Sequence, residues 1–570
     1  MRARGKTLLQ PLAKKTDEHE FYDSIPKGYK KGKTKYIVIT GSVISGLGKG
    51  IISASIGMLL KKMGLIVTPI KFDGYLNIDA GTLNPFRHGE VFVLNDGTEC
   101  DMDLGTYERF LDNSLSALNY STAGRIFKMI IDKERSGKYL GRDVQFIPHI
   151  TGEIKRLMRE LGMKMKADVV LIEVGGTVGD LENSYFIEAM RELSYEEGKE
   201  NVCFINVTYI LEPDSIGEQK SKAAQLGLRS LMSMGIQPDL IICRSESPLF
   251  YKIKEKISTF SNVPVPYVIS DPDVETIYEI PLILEKEQVH LKICNVLNLT
   301  KKVKELNLKE WKKYVEKIKK PKYTIKIGMA GKYTRLRDSY ASILKALEHA
   351  GAANNCKVNV EWVETTGLKE DNVKKRLKGM NGIIVPGGFG SRGIEGKINC
   401  IKYVRENKIP FLGLCYGLQL AVVEYARHVC RLDRAHTTEV SPDTPHPVVF
   451  LLPEQLQKKY VGATMRLGGK KVEIIPNTLA HKLYGKKIVI ERFRHRYEIN
   501  PDYVKKLEDN GFVFSGKAPN QPIMQIGELP KHNFFVGIQF HPEFTSRPLR
   551  PNPLFNGFVK TALEYKLKRT

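Results

Sequence analysis

The sequence predicts two α/β domains in tandem, each built on a parallel sheet that helices cover on both faces. Three observations support this class. The chain has 570 residues, whereas a single domain usually has roughly 100 to 200. Short apolar runs without polar alternation are separated by helical stretches, the pattern of buried parallel strands. Glycine-rich turns follow several of these runs, at the sheet edge where α/β proteins bind ligands.

The composition is that of an ordinary folded protein. Hydrophobic residues make up 42%, charged residues 27% and aromatic residues 9%, which excludes wholesale disorder. The chain has no apolar run of about 18 residues, and its amino-terminal stretch lacks the apolar centre of a signal peptide. Eight scattered cysteines without a C-x-x-C pair fit a reducing compartment better than a disulfide or zinc framework. We therefore expect a cytoplasmic protein.

The net charge of +24 is concentrated in two segments. Residues 1–35 hold ten basic and four acidic residues, and residues 301–326 hold eleven lysines and three glutamates. A charge this large favours a nucleic-acid-binding or filament-forming structural protein as one alternative. The charge lies mostly outside the predicted domains, however, and no aromatic-rich basic stripe is present. We expect a flexible basic tail over 1–35, with no nucleic-acid or membrane partner.

The first domain is predicted over residues 36–297. Its first strand is a β-branched run at 36–40, which ends at a glycine-rich turn and leads into a helix that begins near Ile51. Further buried strands are predicted at 65–70, 168–174, 203–211 and 239–243. Since these strands do not alternate and are separated by helical stretches, the sheet should be parallel.

A helical linker and a second α/β domain follow. Residues 298–321 carry Val303, Leu306, Trp311, Val315 and Ile318 at helical spacing, which predicts one amphipathic helix that ends at Pro321. The second domain is predicted over 322–570. Its strands are expected at 324–329, 383–386 and 409–414, with helices at 339–350 and 416–427.

The loop from Gly41 to Gly50 has the chemistry of a phosphate site. Glycines let backbone N–H groups approach an anion, the helix amino terminus adds partial positive charge, and Lys49 can neutralise phosphate oxygens. The loop is not a strict Walker A motif, because Val43 stands at the first glycine position and Gly50 stands where Ser or Thr would bind magnesium. A glycine-rich turn alone is often only a turn; its place between strand and helix favours nucleotide binding.

A missing hydroxyl ligand means that carboxylates elsewhere must hold magnesium. Candidates are Asp101 and Asp103, after the turn at Asp96-Gly97, and Glu173, at the end of a buried strand. The lysines of the segment 217–222 follow another strand. Such a loop is usually a solvated face, and these lysines have a function only if a second phosphate-bearing substrate binds in the same crevice.

A thiol nucleophile is predicted at Cys415. The sequence Gly413-Leu414-Cys415-Tyr416-Gly417 lies between a strand and a helix and is the cysteine form of a nucleophile elbow. The glycines permit a strained turn, and the helix amino terminus favours a thiolate and an oxyanion. His541 ends an apolar strand, and Glu543 can orient its imidazole. The loop Pro386-Gly387-Gly388-Phe389-Gly390 adds a further glycine-rich turn after a strand.

From residue 36 almost to its end, the chain resembles the CTP synthase family. The segments that carry this resemblance are SGLGKG, NIDAGTLNPFRHGEVFV, LGTYERF, VQFIPHIT, EVGGTVGD, GEQKSK, PGGFGSRG, GLCYGLQ, RHRYEIN and FHPEFTSRP. The first half is similar to the synthetase (amidoligase) domain, a P-loop fold of the dethiobiotin synthetase type. The second half is similar to the class I glutamine amidotransferase domain. An ATP-dependent amidoligase of the cobyrinic acid type also joins two such domains, but it lacks the GEQKSK and NIDAG segments.

The resemblance implies an ATP-dependent amination of UTP to CTP with ammonia released from glutamine, a step of pyrimidine nucleotide biosynthesis. UTP would be phosphorylated at uracil O4, and ammonia would displace the phosphate after passing through an internal tunnel near His88. Cys415 would attack the glutamine amide, with His541 as acid and base and Glu543 orienting it. A carbonyl oxygen leaves poorly until it is phosphorylated, and channelling keeps ammonia neutral and close.

The resemblance also implies binding residues for each substrate. ATP would contact Ser45, Gly46, Leu47, Gly48, Lys49, Gly50, Ile51, Lys71, Asp103 and Arg244, and magnesium would be held by Asp103 and Glu173. UTP, and CTP as feedback inhibitor, would contact Ser45, Asp180, Leu181, Glu182, Lys220, Ser221, Lys222, Gln225 and Lys256. Glutamine would contact Gly388, Tyr416, Gly417, Leu418, Gln419, Glu439 and Arg496.

The family further implies Mg²⁺ with ATP, GTP as an allosteric activator of the glutaminase, and a homotetramer that in some members forms filaments. Four positions depart from the usual pattern. Gly74 and Ala223 stand where proline is common, Ala224 where threonine is common and Phe493 where histidine is common. The first three concern the expected triphosphate contacts, which UTP and the feedback inhibitor CTP would share, and none of the four removes a catalytic group.

Overall fold

The computed structural model describes residues 24–84, 88–139, 142–213, 215, 217–331, 337–388, 390–451 and 465–569. These residues form two compact units. The first unit comprises residues up to Asp79 together with Ala117–Leu308, and the second comprises Ala80–Ser116 together with the chain from Lys309 onward. Of the predicted basic tail over 1–35, residues 1–23 lie outside the described part.

The strands are numbered in chain order. They are β1 (Lys35–Gly41), β2 (Val67–Asp73), β3 (Phe92–Val93), β4 (Glu99–Cys100), β5 (Tyr120–Thr122), β6 (Val169–Val174), β7 (Val202–Tyr209), β8 (Leu240–Ser245), β9 (Val268–Pro272), β10 (Tyr323–Gly331), β11 (Cys356–Glu364), β12 (Gly382–Val385), β13 (Phe411–Leu414), β14 (His436–Thr437), β15 (Pro447–Leu451), β16 (Arg466–Ile474), β17 (Ile488–His495), β18 (Tyr497–Ile499), β19 (Val513–Lys517), β20 (Met524–Glu528) and β21 (Phe535–Ile538).

The α-helices are numbered in the same way. They are α1 (Lys49–Lys62), α2 (Met102–Leu111), α3 (Ala123–Arg135), α4 (Thr151–Lys164), α5 (Ser184–Glu197), α6 (Lys222–Ser233), α7 (Tyr251–Ser261), α8 (Ile280–Lys286), α9 (Val289–Val296), α10 (Lys309–Lys319), α11 (Ala341–Ala353), α12 (Glu370–Arg376), α13 (Ile394–Glu406), α14 (Tyr416–His428), α15 (Leu479–Tyr484), α16 (Pro501–Asp509) and α17 (Pro553–Leu567).

The first unit contains a seven-stranded sheet in the order β5-β2-β6-β1-β7-β8-β9. Every neighbouring pair in it is parallel, as the sequence predicts. Strands β1, β2 and β6 are buried along almost their whole length, because helices cover both faces of a parallel sheet. The carboxyl ends of the strands therefore form the accessible edge for ligands.

The second unit contains a nine-stranded mixed sheet in the order β11-β10-β12-β13-β21-β20-β19-β16-β17. The first five strands are parallel and the remaining pairs are antiparallel. Two apolar clusters pack on this sheet, one containing Leu418 and Val422 and the other Ile384 and Phe558. The predicted α/β class is confirmed for both units, with an antiparallel extension that the sequence did not indicate.

The predicted single helix over 298–321 is wrong in its first half. Helix α10 begins only at Lys309, and Asn298 has a left-handed φ of 54° that ends the preceding helix. The intervening chain is held on the first unit by the Lys304 N–H, which donates to the Met63 carbonyl at 2.9 Å. Trp311 and Val315 are buried on α10 as predicted. The helical spacing of apolar residues therefore holds only in the second half of the predicted helix.

Residues 80–116 were predicted to lie within the first domain but cluster with the second unit. This grouping has a physical basis, since Arg492 forms ion pairs with Glu108 and Arg494 with Glu99. Because the first unit resumes at Ala117, no single boundary position in the sequence separates the two units. Among the described residues, no helix is long and apolar enough to cross a membrane.

Candidate active site

Cys415 lies at the sharp turn between β13 and α14, as the G-x-C-x-G pattern predicts. Its backbone has φ 50° and ψ −98°, a conformation that L-residues rarely adopt. Both neighbouring glycines are required by close backbone contacts. A Cβ atom on Gly417 would lie 2.3 Å from the Val385 carbonyl oxygen, and one on Gly413 would lie 2.8 Å from the backbone of Gly417.

His541 and Glu543 form the expected pair beside this thiol. Glu543 Oε1 accepts a hydrogen bond from His541 Nδ1 at 2.7 Å, and the His541 N–H donates to the Arg492 carbonyl at 2.8 Å. The imidazole and the Cys415 side chain both lie next to Gly387. A Cβ atom built on this glycine would be 3.1 Å from His541 Cε1 and 3.6 Å from Cys415 Cβ. The structure therefore brings together the three residues predicted to form the triad.

The surroundings of His541 favour a proton on the imidazole. Burial lowers its pKa, but Glu543 and the Cys415 thiol raise it more, so that the pKa rises to about 10. The side chain is 12% exposed, and Nε2 has no hydrogen-bond partner among the described residues. Nε2 is the atom left to carry a proton to a leaving amine.

Two further groups contact the Cys415 sulfur. Gln539 Nε2 donates to Sγ at 3.6 Å, and Sγ lies 3.8 Å from the Arg494 carbonyl oxygen. The amide of Gln539 is oriented by Gln419, whose Nε2 donates to Gln539 Oε1 at 3.3 Å. Sequence reasoning missed Gln539, although its position two residues before His541 on a strand end is a usable signal.

The residues expected to hold glutamine surround the same elbow. Glu439 Oε1 accepts from the Gly390 N–H at 3.1 Å, and the Tyr416 hydroxyl donates to the Gly390 carbonyl at 3.4 Å. A Cβ atom on Gly388 would meet open space. The Leu418 side chain instead packs against Gly537, so only its backbone can contribute to a pocket. Arg496 lies between β17 and β18.

The glycine-rich loop of the first unit connects β1 and α1 as predicted. Gly46 and Gly48 have left-handed φ values of 75° and 83°, which other residues adopt with strain. Lys49 is 7% exposed, and its Nζ donates to the Gly176 carbonyl at 2.5 Å. The Val178 N–H donates to the Gly41 carbonyl at 2.8 Å, so the EVGGTVGD segment lies beside this loop.

Charged side chains converge at the same end of the parallel sheet. In the register, Glu173 is opposite Ile39 on β1 and Lys71 on β2, and Glu173 is only 2% exposed. Lys71 Nζ lies 3.7 Å from Asp73 Oδ1. The carboxylates of Glu173 and Asp73 suit a hard divalent cation, and the side chains of Lys49 and Lys71 suit phosphate. Asp73 is a further polar residue there that sequence reasoning did not single out.

The predicted UTP residues lie in four places: Ser45 is in the loop before α1, residues 180–182 precede α5, residues 220–225 span the start of α6, and Lys256 is on α7. Lys220 Nζ contacts Glu218 at 2.8 Å, and Lys252 and Lys256 also lower the pKa of that exposed carboxyl, after the dominant effect of Lys220. Gln225 Nε2 donates to the Ser221 hydroxyl at 3.2 Å. Asp180 Oδ2 accepts from the Thr177 N–H at 2.8 Å, while Leu181 is 84% exposed.

The remaining predicted positions are distributed over both units. Arg244, on β8, is paired with Asp271 at 3.2 Å and Asp273 at 2.7 Å. Asp103 and His88 belong to the second unit, where the Asp103 N–H donates to Asp101 Oδ1 at the start of α2. Among the described residues, no cluster of three or more His, Cys, Asp or Glu side chains forms a metal-binding group. The joint metal site of Asp103 and Glu173 stays a prediction.

Three of the four departures from the family pattern, Gly74, Ala224 and Phe493, are accommodated by neighbouring side chains. A Cβ atom on Gly74 would lie 2.6 Å from Asn183 Oδ1, so Asn183 fills the space that a proline would need. Ala224 is fully buried in an apolar cluster. Phe493 is fully buried, with its ring centroid 5.6 Å from that of Phe540. These residues are compatible with the packing around them.

The fold and the triad of the second unit define a class I glutamine amidotransferase. Residues 335–561 match the family model described as Glutamine amidotransferase class-I, and residues 35–299 match that of the CTP synthase N-terminus. The chain is 54% identical over 534 residues to a CTP synthase of Thermococcus kodakarensis, covering 94% of this chain and 99% of the relative. It is 52% identical over 537 residues to one of Pyrococcus furiosus, with the same two shares.

A solved structure entitled Trypanosoma brucei CTPS glutaminase domain with bound acivicin is 34% identical to the matched region. The match covers 42% of this chain and 94% of that chain, with a TM-score of 0.40. At the identity and coverage of the two relatives above, family membership is established. The chain belongs to the CTP synthase family.

Proposed function

We propose that this protein converts UTP to CTP, using ATP and ammonia that it releases from glutamine. The observation that carries the proposal is the strained Cys415 elbow beside the His541–Glu543 pair, in a chain that belongs to the CTP synthase family. Glutamine hydrolysis, ATP-dependent ligation and a place in pyrimidine nucleotide biosynthesis follow from this assignment.

The second unit performs the hydrolysis. The Cys415 thiolate attacks the amide carbon of glutamine and forms a thioester, and the His541 imidazolium gives its proton to the departing ammonia. Water then attacks the thioester with His541 as base, which releases glutamate and restores the thiol. Glu543 holds Nδ1 at 2.7 Å and so keeps Nε2 directed at the reacting groups. Gly388, the turn from Tyr416 to Gln419, Glu439 and Arg496 are the proposed glutamine contacts.

The first unit binds the nucleotides. Lys49 and Lys71 neutralise charge on the ATP phosphates, and phosphorylation of uracil O4 gives the leaving group that ammonia displaces. Glu173 has the oxygen donors that Mg²⁺ prefers and lies at the ligand-binding edge of the sheet. A Mg²⁺ ion held there would neutralise charge on the ATP phosphates. Lys220, Gln225 and Lys256 are the proposed UTP contacts, and Arg244 is the proposed adenine contact.

Regulation and assembly are part of the same proposal. We expect GTP to activate glutamine hydrolysis, CTP to inhibit by competing with UTP, and the chain to form homotetramers in the cytoplasm. No nucleic acid or membrane partner is proposed. The ratio of glutaminase rates with and without GTP, and the mass of the purified protein in solution, test these points separately.

The decisive experiment follows CTP formation by ultraviolet absorbance from UTP, ATP and Mg²⁺, with either glutamine or ammonium as the nitrogen source. We expect both sources to support CTP formation by the unaltered chain. Cys415→Ala should abolish the glutamine-dependent reaction and leave the ammonia-dependent one, because only the first needs the thiol. Cys430→Ala is the matched control: this thiol is also buried but is not part of the site.

A second variant tests the first unit. Lys49→Ala should remove CTP formation from either nitrogen source while glutamine hydrolysis survives. Loss of both reactions in Cys415→Ala would contradict the assignment of two separate chemistries. Amide formation on another carboxylate substrate without any CTP would favour the cobyrinic acid type of amidoligase instead.

A further inference from the structure

Strand β17 carries two carbonyls that contact the catalytic pair. The Arg492 carbonyl accepts the His541 N–H at 2.8 Å, and the Arg494 carbonyl oxygen lies 3.8 Å from Cys415 Sγ. Residues two apart on a strand project their groups in the same direction, so both contacts come from one side of β17. The strand ends the nine-stranded sheet and pairs with β16. A displacement of β17 would therefore move the surroundings of both reacting groups.

The side chains of the same two arginines are fixed by carboxylates of the segment 80–116. Arg492 is 1% exposed and donates to both oxygens of Glu108, at 2.8 and 2.9 Å, and from Nε to Asn95 Oδ1 at 2.7 Å. Arg494 Nε donates to Glu99 Oε1 at 2.7 Å. The strand that contacts the thiol and the imidazole is thus held through the side chains of two residues, Arg492 and Arg494.

Glu108 is the centre of this anchorage. It is fully buried and also accepts from Arg547 Nη2 at 2.8 Å and from the Leu115 N–H at 2.8 Å. Removing one member of such a buried cluster leaves uncompensated charge. Without the Glu108 charge, Arg492 and Arg547 would have to rearrange, and the backbone of β17 would move with Arg492.

We propose that Glu108 and Glu99 are positioning residues for glutamine hydrolysis, which act through Arg492 and Arg494 on the two carbonyls of β17. The inference rests on the proposed glutaminase function and adds to it two residues outside the matched amidotransferase region. Neither carboxylate is expected to touch glutamine. Displacements of about 1 Å at a catalytic group can reduce a rate about 100-fold, so the loss should fall on kcat while KM for glutamine changes little.

The test compares four variants of the full chain. Glu108→Gln and Glu99→Gln remove the charges, and Glu99→Asp keeps the charge on a shorter side chain. Glu197→Gln is the matched control, because Glu197 is equally buried and pairs with Arg159 at 2.6 Å in the first unit. Glutamate release, ammonia-dependent CTP formation and the rate of Cys415 alkylation by iodoacetamide as a function of pH are measured for each.

We expect Glu108→Gln and Glu99→Gln to lower kcat for glutamate release by about 10- to 100-fold and to shift the pH profile of alkylation. Ammonia-dependent CTP formation should stay within about twofold, Glu197→Gln should change none of these readouts, and Glu99→Asp should lose less than Glu99→Gln. If Glu108→Gln does not fold, the glutamate release and alkylation profile of Glu99→Gln alone test the proposal. An unchanged kcat and pH profile in Glu99→Gln would overturn the proposal. Failure of the unaltered chain to make CTP would refute the ligase function alone, because glutamate release is measured separately.

Discussion

The backbone at Cys415 is held in its strained conformation by contacts on both sides. Its N–H donates to the Ile538 carbonyl at 2.6 Å, and its carbonyl accepts from the Leu418 N–H at 3.1 Å. A conformation of this kind costs roughly 1–3 kcal/mol and persists only where the surrounding structure over-determines it. The benefit is chemical, since the turn presents the sulfur to both the imidazole of His541 and the amide of Gln539.

Glu543→Gln tests the origin of the unusual His541 proton affinity. Burial lowers the pKa of His541, and Glu543 is the largest of the influences that raise it to about 10. The variant should therefore bring the imidazole pKa down towards or below its ordinary value, measurable by NMR titration of the ring protons. Glutamate release should fall about 10- to 1000-fold. An unchanged pKa would mean that the Cys415 thiol, and not Glu543, holds the proton on the ring.

Gln539→Leu removes the amide that donates to Sγ at 3.6 Å while keeping a similar volume. We expect a slower alkylation of Cys415 below neutral pH and a lower kcat for glutamate release, by about 10-fold. Gln525→Leu is the matched control, because the Gln525 side chain is equally buried on the neighbouring β20. Equal effects of the two substitutions would indicate a general packing defect.

At the scale of elements, the elbow depends on how closely α14 approaches the sheet. Gly417 lies in the first turn of this helix, where a Cβ atom would meet the Val385 carbonyl of β12 at 2.3 Å. Helix and strand could accommodate an added methyl group only by separating. The glycine is thus required by the distance between two elements and not by its own backbone angles.

Gly417→Ala should destabilise the protein by about 1–3 kcal/mol and reduce glutamate release, because α14 starts directly after Cys415. The measurement is the thermal midpoint together with the glutaminase rate. Gly388→Ala serves as contrast: its Cβ meets open space, so the thermal midpoint should hold while KM for glutamine rises. A normal midpoint in Gly417→Ala would show that the two elements can separate at little cost.

The sequence predicts individual strands and helices, but it does not predict which side chains of distant segments contact each other. The strand before Lys49, the strand before Cys415 and the helices after them were predicted within a few residues, because glycine and apolar periodicity act locally. Glu99 and Glu108 were not predicted as partners of Arg494 and Arg492, since nothing in a single sequence marks which charges meet. Gln539 is a different case: its position two residues before His541 is a local signal, although it does not reveal that the amide contacts the Cys415 sulfur.

At the scale of the whole molecule, His541 links stability to pH. In the unfolded chain its pKa is about 6.5, whereas in the folded protein it is about 10. Because the folded value is raised, the stabilisation is complete below about pH 6.5 and is lost as the pH rises through the folded value. Between these limits the folded state retains a proton that the unfolded state has released.

The free energy of unfolding should therefore decrease with rising pH in this window, by up to about 1.4 kcal/mol per pH unit from this group. The comparison is with His541→Gln, whose unfolding curves should lack this contribution. Urea denaturation of both proteins at several pH values between 7 and 9.5 supplies the measurement. A constant difference between the two proteins across the range would contradict the raised pKa.

The excursion of residues 80–116 also determines which pieces of this protein can be inherited together. A recombination event near residue 309 would transfer Arg492, Arg494 and Arg547 from one parent and leave Glu99 and Glu108 to come from the other. Compatible chimeras should therefore arise when both parents share these charges, or when two crossovers carry 80–116 along with the carboxyl-terminal part. For genetic exchange among relatives, this unit is therefore encoded by two separate stretches of the gene, one for residues 80–116 and one for the chain from Lys309 onward.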